Sequence, residues 1–89
     1  MNITNITYTI ARYEQVKPDT FLVAFNIKDE NDNSAYIECL LKSSQVSGKT
    51  TQEVCQIAYK ELAPQIEEIK LNFEQKTLSK VGYVFIPEE

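Results

Sequence analysis

Two apolar runs that alternate with a period of two flank a six-residue polar stretch, and this arrangement leaves the middle of the chain little conformational freedom. Phe21, Val23, Phe25 and Ile27 fall on one side of an extended segment from Thr20 to Lys28, with Leu22, Ala24, Asn26 and Lys28 on the other. After Asp29-Glu30-Asn31-Asp32-Asn33-Ser34, the run from Ala35 to Lys42 places Ile37, Cys39 and Leu41 on one side and Tyr36, Glu38 and Leu40 on the other. Successive side chains of a strand point to opposite faces. A short connector of turn-forming residues between two such runs therefore specifies a β-hairpin with a loop of about five residues.

The flanking segments extend this sheet. Ile3 to Tyr13 is rich in Thr, Ile and Tyr, which favour strands, with Ile6, Tyr8 and Ile10 on one face. Lys17-Pro18-Asp19 marks the turn into the next strand, proline's fixed φ suiting its first central position. Ser43 to Lys49 reads as a loop. Thr50-Thr51-Gln52-Glu53 then fits a capping box, and Val54, Ile57, Ala58 and Leu62 recur at helical spacing. Pro64 cannot sit within a regular helix, because it lacks an amide donor and clashes with the preceding turn. Ile66, Ile69 and Phe73 nevertheless continue the stripe, so the spacing predicts a helix kinked or restarted at Pro64 and running to about Leu71. The alternative makes Ile69, Leu71 and Phe73 the apolar face of a strand. Val81 to Ile86 is apolar on both faces and reads as a last strand inside the sheet, with Gly82 within it. The expected fold is α+β: residues 1–89 as one domain, an antiparallel sheet of about four strands in β-β-β-α-β order, and one helix, kinked at Pro64, packed on one face.

Composition removes several kinds of chemistry. The chain has no histidine, so imidazole catalysis, imidazole metal ligands and a histidine pH switch are excluded. With two glycines, Gly48 and Gly82, a backbone cradle for phosphates has little to work with. Nine basic residues against thirteen acidic ones give a net charge of −4. Arg12 is the single arginine, and the lysines are scattered singly at 17, 28, 42, 49, 60, 70, 76 and 80. Nucleic-acid binders carry a basic stripe, so no nucleic-acid partner is expected. Two cysteines are compatible with a reducing compartment, and no apolar stretch approaches the ~20 residues that span a bilayer. Met1-Asn2-Ile3-Thr4 lacks the charged start and apolar run of a signal peptide. The expectation is a cytoplasmic protein without a membrane partner.

The motifs that carry chemistry each fail at a defining position. Ser47-Gly48-Lys49-Thr50-Thr51 before a helix has the tail of a phosphate-binding loop, but the required glycine five residues before Gly48 is Ser43. Asp29, Asn31 and Asn33 match the first ligand positions of an EF-hand loop, whose sixth position should be glycine and is Ser34, and whose twelfth should be glutamate and is Leu40. This stretch reads instead as a solvated hairpin tip. Asn2-Ile3-Thr4 and Asn5-Ile6-Thr7 match the glycosylation tripeptide and read as strand sequence. Cys39 on an apolar strand face reads as a small buried hydrophobe. Cys55, near a helix start, would have a mildly lowered pKa from the dipole, yet no histidine can serve it as a base. Glu67 and Glu68 are adjacent on a helix and diverge, so with Glu74 they read as a solvated face. No catalytic, cofactor or metal site is expected, and the chain reads as non-enzymatic.

What remains is a surface. A single helical layer covers one face of a sheet, and the opposite face then presents Leu22, Ala24, Tyr36 and Leu40. A solvated sheet face normally alternates more cleanly between apolar and polar residues, and a semi-apolar one implies a partner or a second copy of the chain. The expected function is a protein-interaction or self-associating accessory module of bacterial or phage origin, whose partner at this face is another protein or a second copy of the chain in a homodimer. The alternative is a small enzyme or ligand-binding domain with carboxylate, Tyr and Lys side chains in a pocket between sheet and helix.

Overall fold

The computed structural model describes residues 5–78 and 81–88. Three strands, β1 (Thr7–Lys17), β2 (Thr20–Lys28) and β3 (Ser34–Lys42), are followed by three helices, α1 (Ser43–Val46), α2 (Thr51–Glu61) and α3 (Ala63–Leu78). The sheet is antiparallel in the order β1-β2-β3. The α+β class is as expected, whereas the four strands and single helix are corrected to three of each among the described residues.

The β2–β3 hairpin is the regular part. Its register runs from Thr20↔Lys42 to Lys28↔Ser34 without a shift. Asp32 takes φ 61°, the left-handed residue that closes the short loop. Beyond its two ends, the Asp29 amide donates to the Asn33 carbonyl at 3.0 Å and the Ser43 amide donates to the Asp19 carbonyl at 2.9 Å. Hydrogen-bonded and non-bonded pairs alternate in an antiparallel ladder. The bonded pairs are therefore Ile27↔Ala35, Phe25↔Ile37, Val23↔Cys39 and Phe21↔Leu41. It follows that the amides and carbonyls of Tyr36, Glu38 and Leu40 point outward, to the edge of β3 that no other described strand joins.

β1 is less regular. Its register shifts between Ile10 and Arg12 and again between Gln15 and Lys17, which leaves Ala11 and Val16 as bulge residues. The first bulge turns Tyr13, and not Arg12, toward the helices, where its ring meets Phe21 edge-on at 4.8 Å. The predicted start of this strand at positions 3 and 4 lies outside the described residues.

The core forms where β2 and β3 meet the helices. Val23, Phe25, Ile27, Ile37, Cys39 and Leu41 pack against Val54, Ala58, Leu62, Ile66 and Phe73, all buried. α2 begins with the expected capping box: the Glu53 amide donates to Thr50 Oγ1 at 3.2 Å, and the Thr50 amide donates to Glu53 Oε1 at 3.0 Å. α2 ends at Glu61, and α3 restarts with Pro64 in its first turn, where a missing amide leaves no bond unmade. α3 runs well past Leu71, to Leu78, so the strand alternative for residues 69–73 does not form. Residues 43–46, expected as loop, make the single turn α1.

The largest departure is Val81–Ile86. This segment was expected as a sheet strand and has no strand structure, and Gly82, at φ 90°, lies in a turn. Tyr83, Val84, Phe85 and Ile86 are 65–81% exposed. β-forming composition provides side chains for a strand but no backbone partner for it.

Candidate interaction surface

The face of the sheet turned away from the helices is built in rows by the register. Leu22 lies between Glu14 and Leu40, Ala24 between Arg12 and Glu38, and Asn26 between Thr9 and Tyr36. Leu22 and Ala24, on the central strand, are buried, whereas Tyr36 is 49% and Leu40 65% exposed. The cause is the flanking side chains, since long polar residues on edge strands cover the small residues between them. Arg12 pairs with Glu14, and the Tyr36 hydroxyl donates to Glu38 Oε2 at 3.0 Å. Partial burial and the Glu38 carboxylate both raise the Tyr36 pKa, against a smaller opposing effect of Arg12. Of the predicted face, then, Tyr36 and Leu40 stand outward on β3, while Leu22 and Ala24 form the floor beneath a fringe of charge. The fringe could not be read from alternation alone, because the bulge at Ala11 decides that Arg12 and Glu14 face this way.

The hairpin tip is a fastening. Asp29 is 5% exposed, and its carboxylate accepts from the Asn31 amide, the Asn33 amide and Asn33 Nδ2, each at 2.9 Å. Burial alone would raise its pKa, but these hydrogen bonds outweigh it and hold the carboxyl below the ordinary range. Asn33 Nδ2 also reaches Thr77 Oγ1 at 3.2 Å and the Phe73 carbonyl at 3.4 Å, and Asn31 Nδ2 reaches Thr77 Oγ1 at 3.4 Å. The residues that match an EF-hand loop thus tie the tip of the hairpin to the last turns of α3. Among the described residues, no three His, Cys, Asp or Glu side chains come together as metal ligands.

An open cleft of about 420 Å³ lies between β1 and α2, lined by Tyr8, Ile10, Phe25, Cys55, Gln56 and Tyr59. Tyr8 meets Tyr59 edge-on at 5.5 Å, and its pKa is pushed up to about 12 by burial, then by Tyr59 and the charge of Glu67. Burial also pushes the Cys55 thiol up, opposite to the expected dipole effect, and burial with the charge of Glu61 does the same for Cys39. In both cases the shift disfavours the thiolate, the nucleophilic form. Glu67 and Glu68 are both exposed on α3, and Glu67 accepts from Lys70 Nζ at 3.5 Å. None of the described helices is long and apolar enough to cross a membrane. No family model, curated protein or solved structure matches the chain.

Proposed function

We propose that this chain is a non-enzymatic protein-interaction module, acting in the cytoplasm, whose working surface is the outer side of β3. The observation that carries this reading is Leu40: it lies beside buried Leu22 on a strand whose backbone groups on that side have no sheet neighbour among the described residues, yet it is 65% exposed. A protein partner, or a second copy, supplies the missing cover for Leu40 and Tyr36. The charged fringe of Arg12, Glu14 and Glu38 sets orientation and rejects nucleic acid, in keeping with the net charge of −4.

A benzophenone side chain placed at Leu40 tests this in the cells that make the protein. The expected result is a discrete covalent protein adduct that is not formed from position 68, on the far side of α3. In the purified pair, Leu40→Glu weakens binding at least about tenfold, the equivalent of roughly 1.4 kcal/mol. No adduct, or the same adducts from both positions, contradicts the reading.

A second reading, a small-ligand domain, rests on the β1–α2 cleft. Among the described residues no carboxylate or lysine lines it, so the cleft favours apolar ligand capture over acid–base chemistry. A binder of this kind shifts the ring resonances of Tyr8 and Tyr59.

A further inference from the structure

We infer that the apolar segment Tyr83–Ile86 of one copy adds as a fourth strand to the free edge of β3 in a second copy, and that the protein is a strand-exchanged homodimer. This rests on the reading of β3 as an interaction surface and names its occupant.

The choice of edge follows from the ladder. β1 carries two bulges, the usual device that keeps an edge from pairing. β3 has none, and the outward amides and carbonyls of Tyr36, Glu38 and Leu40 form a regular template. A strand laid there finds apolar ground on both of its faces. One side lies along Tyr36 and Leu40. The other enters a groove of about 380 Å³ between the start of β3 and α3, where Ala35, Ile69 and Phe73 lie among the polar Ser34, Asn72, Gln75 and Lys76 and no β2 residue intervenes. Tyr83 and Phe85 alternate with Val84 and Ile86, so the segment has an apolar set for each side.

The handedness of the chain argues against its own tail. α3 runs back over β3 and ends at the hairpin tip, where Thr77 meets Asn31 and Asn33. A tail leaving there can follow its own β3 only in the parallel sense. With the helices toward the viewer and β3 running upward, an L-residue whose side chain faces the viewer directs its amide and carbonyl to the right. In β3 these are the residues that bond β2, so β2 and β1 lie to the right and the free edge to the left. A strand reached on the left after a crossing over the helical face is a left-handed crossover. Such parallel connections are right-handed in about 98% of cases. A second molecule's tail carries no such constraint, and reciprocal exchange closes a two-fold dimer.

Sedimentation velocity of the full chain, of residues 1–82, and of the full-length Ile86→Asp variant tests this, with far-UV circular dichroism as the fold control. The expected result is a full chain at twice its 10.2 kDa mass, a folded monomer for residues 1–82, and at least about a tenfold weaker dimer for Ile86→Asp. A synthetic peptide of residues 82–89 then binds the shortened chain. If residues 1–82 do not fold, the Ile86→Asp variant decides alone. A full chain that stays monomeric to millimolar concentration overturns the inference, as does a dimer that survives both changes. A monomeric full chain that still gives the Leu40 adduct with another protein overturns the inference and leaves the proposed function standing.

Discussion

At Asp29 a carboxylate is nearly enclosed, and the backbone of its own turn bends in to donate to it. Its acceptor capacity is used by two amides and one side-chain amide of the same turn. Its pKa is depressed in the fold, so its stabilising contribution is complete at neutral pH and is lost as the pH falls through the folded value. Thermal unfolding followed from neutral pH into acid should show the wild-type Tm falling more steeply than that of Asp29→Asn, which begins several degrees lower. Parallel curves for the two proteins would contradict this role. The sequence marked Asp29 as a turn residue, and its fastening to α3 through Asn33 was not legible, because that contact spans residues 33 and 77.

Among the elements, those written in local chemistry could be read in advance. The β2–β3 hairpin needs only alternation and a turn, and the start of α2 needs only Thr50 and Glu53. Thr50→Ala should cost ~1 kcal/mol by losing that cap, measured by urea denaturation. Phe73→Ala, at a residue 2% exposed between α3 and the sheet, should cost ~3–5 kcal/mol; a loss below ~1 kcal/mol would show that α3 is not part of the folded core. Elements that depend on distant partners were not legible. The bulge at Ala11 reverses which β1 residues face the helices, and no local pattern announces it. Val81–Ile86 has the composition of an internal strand but takes no strand structure. The expectation of a strand there is not met, because β-forming composition supplies no backbone partner.

At the scale of the whole molecule, the described residues set exposed apolar side chains beside an edge strand of the sheet. The thiols are held up by burial and Tyr8 is held protonated, so neutral pH leaves these groups uncharged. The buried floor of Leu22 and Ala24, the outward Leu40 and Tyr36, and the unused edge of β3 lie together on one side of a three-stranded sheet. The candidate face was legible as a set of residues in sequence, whereas its division into floor and rim required the charges of β1 in register beside it. The most direct measurement of the central claim is amide hydrogen exchange by NMR along β3, on the full chain over a range of concentration. Ile37, Cys39 and Leu41 bond to β2 and should be protected at every concentration. The outward amides of Tyr36, Glu38 and Leu40 should become protected to a similar degree as concentration rises and a partner strand takes the edge. If those three exchange like open backbone at every concentration, while Ile37 and its neighbours stay protected, the edge of β3 is not where this protein does its work.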